Sequence, residues 1–280
     1  MVSQPQLQTQ PQPAESKTRG FAAALTEMIA SRELLMTWTR REFRIRYSQS
    51  ILGAAWAVVQ PLALMVIFSV VFGFFLQVPT GGVPYPLFSF TGSLPWVFLA
   101  SSLTFAIPSL VNNFGLVSKI YFPREILPLS SLLVCLIDFA IGAVLLIPLL
   151  VLYQVKVGPQ LVMVPVLVLV QFMFSFGIIL FLSAINVFFR DVRFVIPLAL
   201  QIWMYISPVI YPASQVPESL RAIYFLNPMA VLIDSYRRVV LFNQWPDWPW
   251  LLFTTVVSIV SLMLGYRYFK RAERQFADVI

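Results

Sequence analysis

From Tyr47 to Ser118 the chain carries no charged side chain, and four arginines, Arg40, Arg41, Arg44 and Arg46, stand just in front of that stretch. It is long enough for two bilayer crossings at ~20 apolar residues each. The Pro/Gly-rich break at residues 77–86 divides it into two hydrophobic helices, residues 51–76 and 87–111. A basic cluster in front of a first span holds the N-terminal side in the cytoplasm by the positive-inside rule. Composition agrees: 59% hydrophobic and 11% charged residues, with a mean hydropathy of +0.82, leave too much apolar surface for water to be the only solvent.

The remaining chain extends this plan to six spans. Residues 126–153, 161–189, 194–211 and 250–269 are four more apolar segments, and Lys270, Arg271 and Arg274 follow the last. With both ends inside, fifteen of the 19 Lys and Arg residues fall on the inner side; Lys156, Arg221, Arg237 and Arg238 fall outside. The formal charge of +7 therefore follows membrane topology and anionic headgroups, and there is no separate basic domain for nucleic acid. Cys135 is the single cysteine, so no disulfide forms within one chain, and with no histidine there is neither imidazole chemistry nor a His/Cys metal site. The predicted class is an all-α membrane protein of the inner (cytoplasmic) membrane.

Four regions are expected: a Gln/Pro-rich disordered tail at 1–20, an amphipathic interface helix at 21–50, a six-span domain at 51–271 and a short tail at 272–280. In the interface helix Leu25, Met28, Ile29, Leu35 and Met36 share one face while most charges lie elsewhere. Between spans five and six, residues 212–249 hold two short apolar helices, near 217–226 and 228–242, with Asn227-Pro228 as N-cap and first-turn proline. Each is too short to cross a bilayer. A re-entrant hairpin dipping into the outer leaflet accounts for their apolar character; a hairpin lying in the interface is the alternative.

Three features bear on function. The turn at 112–128 is long for a link between spans, and a short helix ending before Pro123 would present Leu116, Lys119 and Ile120 as a knob; an ordinary interfacial loop anchored by Tyr121 and Phe122 fits the residue types as well. Phe68, Phe72 and Phe75 recur at i, i+4 and i+7, and Gln201, Tyr205 and Pro208 share a stripe with Trp203 nearby. Rings and amides suit the C–H faces and hydroxyls of sugars, whereas packing or lipid-facing aromatics are the plainer reading of any one residue. Asp138 lies midway along span three. It could line a pathway, hydrogen-bond a neighbouring helix or hold a proton; with no intramembrane Lys or Arg to pair with, structural hydrogen bonding is favoured.

The chain resembles the permease of polysaccharide-exporting type-2 ABC transporters, the exporters of O-antigen, capsule and teichoic acid. The resemblance rests on Arg40-Arg41-Glu42-Phe43 with Arg46-Tyr47, Leu52-Gly53-Ala54-Ala55-Trp56 with Gln60-Pro61, Tyr121-Phe122-Pro123-Arg124-Glu125-Ile126-Leu127-Pro128, Phe188-Phe189-Arg190-Asp191-Val192 and Leu226-Asn227-Pro228-Met229. It implies a homodimer with the polymer passing between two copies and a separate ATPase dimer beneath. By the same resemblance Arg41, Arg44, Leu116, Lys119, Tyr121, Phe122, Arg124, Glu125, Arg190 and Asp191 contact the ATPase, and Phe68, Phe72, Phe75, Gln201, Trp203 and Tyr205 line the channel. No Gly-x-x-x-x-Gly-Lys-Ser/Thr loop occurs, so ATP and magnesium are expected on the partner and the chain itself is expected not to be an enzyme. Rival readings are a type-2 permease for a smaller lipid or drug, a secondary transporter, and an intramembrane transferase. The last would have only the scattered Glu125, Asp191, Glu218 and Asp234 to work with.

Overall fold

The computed structural model describes residues 31–48, 53–117 and 122–276. Among these, regular structure is helical throughout, with no strand. Helix α1 is Arg32–Tyr47; α2 is Trp56–Phe75; α3 is Tyr85–Ala106; α4 is Ile126–Leu152; α5 is Val164–Phe188. Helix α6 is Val192–Ile206, α7 Glu218–Tyr224, α8 Pro228–Val240 and α9 Trp248–Ala272. Single turns at Ser109–Asn112 and Phe114–Val117 lie between α3 and α4. Among the described residues, five helical segments are long and apolar enough to cross a bilayer: Trp56–Phe75, Tyr85–Ala106, Ile126–Leu152, Pro159–Phe188 and Trp248–Gln275. This is a multi-pass membrane protein. Residues 194–211 behave differently from a uniform span, because the helix stops at Ile206 and the chain turns under Ser207–Ile210, all buried.

Burial follows the order of packing. Helix α3 is central, most of it enclosed by α2, α4, α5, α6 and α8. Helices α5 and α9 pack most closely, and glycine makes that possible: a Cβ on Gly177 would stand 2.5 Å from the backbone nitrogen of Leu262, and one on Gly265 would strike the Gly177 carbonyl. Buried Thr254 and Ser258 continue the small-residue face of α9 toward its N-terminal end. Between membrane helices, where lipid removes most of the hydrophobic drive, such close backbone approach supplies dispersion contact. Helices α2 and α6 are the opposite case, with few buried residues and broad apolar outer faces that include Val66, Ile67, Leu198 and Ile202.

Helix α2 changes its winding halfway. From Ser69 to Phe75 it is π-helical, and the Leu76 amide reaches back to the Val71 carbonyl at 3.0 Å. The wider turn rotates later residues away from an α-helical stripe. Phe68 is buried against the edge of Phe72, while Phe75 is 69% exposed beside Phe74. The three phenylalanines therefore do not share one face.

Helix α1 keeps part of the expected amphipathic pattern. Leu35, Trp38 and Thr39 pack inward, chiefly on α4, whereas Met36 is 57% exposed. Leu25, Met28 and Ile29 lie outside the described residues.

Candidate functional site

At the end of the bundle that carries α1, side chains from distant segments join into one face. Trp38 of α1 stacks on Phe122 with ring centres 6.4 Å apart, and Arg41 lies 4.4 Å above the Trp38 ring while donating to Asn113 Oδ1 at 3.3 Å. Next in the chain, Arg124 donates to the Glu273 carbonyl at 2.7 Å, and Lys270 bridges Glu125 at 2.8 Å and Glu273 at 3.0 Å. Phe276, fully buried, closes the group by packing on Phe269 and on Phe188 at the end of α5. The turn before α4 is thus clamped to α1 on one side and to the C-terminal turns on the other. Burial pushes the Glu125 carboxyl up from its ordinary value, and Lys270 offsets this only in part.

The sequence-predicted contact residues divide accordingly. Arg41, Arg44, Arg190 and Asp191 are exposed, and Phe122 and Arg124 are half-buried in this face. Glu125 does not belong to the exposed set, because its carboxylate is 2% exposed and already holds Lys270. Leu116 lies on the Phe114–Val117 turn. Lys119, Ile120 and Tyr121 lie outside the described residues. The clamp formed by Lys270, Glu273 and Phe276 had no signal in the sequence beyond a basic end to the last span.

A second cluster corrects the reading of Asp138. Arg46, in the last turn of α1, approaches Asp138 Oδ2 with Nη1 at 2.9 Å, and the Tyr47 hydroxyl donates to Oδ1 at 2.7 Å. The carboxylate therefore has an arginine partner. Counting intramembrane charges missed it because α1 packs along α4 and carries Arg46 to it from 92 residues away. Desolvation of the pair is offset by this geometry and by the Phe105 ring, 4.0 Å from the guanidinium carbon.

At the opposite end the α7–α8 hairpin is tied to the segment after α6. Arg237, 2% exposed, gives its guanidinium to backbone carbonyls: Nε to Phe88 at 3.3 Å, Nη1 to Pro208 at 2.5 Å and Tyr211 at 3.2 Å, Nη2 to Val209 at 2.7 Å. The ring of Phe88 lies 3.6 Å from its central carbon. Room for the fork exists only because residue 92 is glycine, since a Cβ there would come 2.8 Å from that carbon. Tyr85 takes the remaining carbonyl of the segment, donating to Ile210 at 2.7 Å.

Asn227 completes the tie. It caps α8 as its place before Pro228 predicts, accepting from the Met229 amide at 3.1 Å. The same oxygen accepts from Trp203 Nε1 at 2.9 Å, and the amide nitrogen donates to Ser207 Oγ at 2.9 Å. Trp203 thereby faces inward, against Trp96 and Phe174, and not along an open surface. Gln201 and Tyr205 of the same helix are exposed. Asn227→Ala removes the cap and strands the Trp203 donor, so it should cost about 1–2 kcal/mol. Asn227→Asp keeps the accepting oxygen and should cost less. Thermal unfolding of the detergent-purified chain checks both, and equal losses would show that the oxygen is not what matters.

Residues 33–241 match the family of ABC-2 type transporters. The O-antigen export system permease protein RfbA of Myxococcus xanthus is 31% identical over 257 residues, covering 91% of this chain and 98% of the relative. The protein of the same description from Klebsiella pneumoniae is 27% identical over 249 residues, covering 89% and 95%. The polysialic acid transport protein KpsM of Escherichia coli is 22% identical over 237 residues, covering 83% and 91%. Matched by the family over most of its length, and 31% identical to a relative over 91% of it, the chain belongs to the ABC-2 type transporter membrane family.

Proposed function

We propose that this chain is the permease subunit of an exporter that moves a lipid-linked polysaccharide, of the O-antigen kind, across the inner membrane. The observation that carries the reading is the likeness, over nine-tenths of the chain, to a relative described as an O-antigen export permease. ATP and magnesium belong to a separate ATPase dimer, and two copies of this chain form the path. Both termini are cytoplasmic, in keeping with the fifteen Lys and Arg residues on that side.

Helix α6 with the buried Ser207–Ile210 segment makes the fifth of six spans, because α6 alone is about 22 Å long at 1.5 Å per residue and falls short of ~30 Å of hydrocarbon. Helix α8 is too short to cross and is buried almost all round, which supports a re-entrant hairpin at the outer mouth. Helix α1 lies along the cytoplasmic boundary, and the face formed by Arg41, Arg44, Phe122, Arg124, Arg190 and Asp191, with Leu116, Lys119 and Tyr121, receives the ATPase. Glu125 supports that face from within. Phe72, Phe75, Gln201 and Tyr205, on two helices with few buried residues, face the path; Phe68 and Trp203 hold these helices from behind.

A sliding polymer needs many weak contacts, which ring faces and amides provide without a trap at one position. The test is reconstitution. The permease alone should hydrolyse no ATP, and cysteines placed at positions 119–124 should crosslink to the co-expressed ATPase. A deletion strain should lose surface glycan while lipid-linked glycan accumulates inside. Normal surface glycan in that strain would refute the function, and absence of every crosslink would refute the docking face.

A further inference from the structure

We propose that the cavity between the last turn of α1 and helices α2, α3 and α4 binds a sugar ring, holding one residue of the glycan beside the path. This rests on the export reading above and adds to it a place of recognition that neither aromatic stripe supplies. The cavity measures about 270 Å³, and its polar wall is made by Arg46, Tyr47, Gln60, Ser101 and Asp138. Trp56, 49% exposed, and the exposed Gln60 stand on the α2 side, where the cavity reaches the surface.

The wall chemistry selects the ligand. Arg46 spends Nη1 on Asp138 and Cys135, and its Nη2 is buried with no partner among the described residues, so the pair is held by the protein itself. An apolar occupant would take Gln60, Ser101 and Asp138 out of water without giving them hydrogen-bond partners. An anion is a poor answer, because Asp138 at 2.9 Å cancels the arginine's charge and would repel a diphosphate. A neutral hydroxylated ring fits both sides: its hydroxyls exchange hydrogen bonds with the Gln60 amide, the Ser101 hydroxyl and the free lone pairs of Asp138. The Trp56 indole offers the apolar face that sugar C–H groups prefer. The volume lies just under the ~300 Å³ where small-molecule pockets begin, so one ring fits and a chain does not. The position agrees as well, because the cavity opens along α2, the helix that also carries Phe72 and Phe75.

The experiment uses the permease–ATPase complex in nanodiscs, titrated with lipid-linked glycan extracted from the source cells, with ATPase rate as readout. Gln60→Leu and Ser101→Val spare the Arg46–Asp138 pair, and each should raise the half-saturating glycolipid concentration about tenfold, as loss of one buried hydrogen bond implies. Independently, a Gln60→Cys, Cys135→Ser variant should be shielded from a thiol reagent by the glycolipid and not by the same lipid carrier stripped of its sugars. Unchanged half-saturation in both variants, with the wild type stimulated normally, would overturn the site and leave the export reading standing. Equal shielding by the sugar-free carrier would overturn the sugar assignment. A wild type that neither responds to the glycolipid nor binds it would overturn both.

Discussion

Arg237→Leu should abolish export and lower the melting temperature of the purified chain by about 10 °C or more. The arginine serves no carboxylate directly; its fork fills four backbone carbonyls, three of them in the Pro208–Tyr211 stretch that leaves α6. Leucine matches the site's apolar walls but strands those acceptors, at roughly 1–3 kcal/mol for each that finds no other donor. For a chain of this size each kcal/mol corresponds to ~2–4 °C, so even partial failure of the cluster exceeds the effect of an ordinary surface change. Lysine at position 237 is the discriminating variant. Its single ammonium keeps the charge but cannot span carbonyls that approach from three directions, so Arg237→Lys should fall between wild type and leucine. Melting by size-exclusion fluorescence, together with surface glycan staining, reads both outcomes. An Arg237→Leu chain that melts with the wild type would mean that the hairpin is held by its apolar contacts alone.

The same residue marks how far local sequence reached. Spans were legible because hydropathy over ~20 residues is a local property, and the ends of α4 and α5 fall within a few residues of the apolar segments 126–153 and 161–189. The cap at Asn227 was legible for the same reason, since a cap and its first-turn proline are neighbours. The sequence places Arg237 and Arg238 alike among the four basic residues of the outer side, yet only Arg238 bridges Asp234, at 2.7 Å, and Arg237 turns inward. Which of two adjacent arginines turns inward depends on Gly92 and Phe88, about 145 to 149 residues away, and no window contains both. The stripes failed differently. Period 3.6 was applied through Ser69–Phe75, where the winding is wider, and to Pro208, which lies past the end of α6 and is buried.

Arg46→Met should destabilise the chain more than Asp138→Asn, and the double variant Arg46→Met, Asp138→Leu should recover most of the loss. Removing the arginine alone leaves a carboxylate 18% exposed between α1 and α4 with Tyr47 its one remaining hydrogen-bond donor among the described residues, a change of the kind that costs up to about 3–5 kcal/mol. Asparagine at 138 is milder, because its amide oxygen still accepts from Tyr47 and its neutral form needs no counter-charge. Replacing both partners with apolar groups removes the desolvation cost along with the attraction, which is why the pair is a poor source of net stability. Its value lies in position. It fixes the last turn of α1 to the middle of α4, while the start of α4 is held by Trp38 through Phe122 and by the Lys270 clamp. A push on α1 or on the Phe122–Glu125 turn therefore arrives at one helix at two heights, so that helix moves as a body instead of bending. The double variant should accordingly assemble with its ATPase and melt near the wild type, yet export less glycan per ATP hydrolysed. Full export efficiency in a stable double variant would show that α1 needs no fixed point on α4 to pass its movement into the membrane.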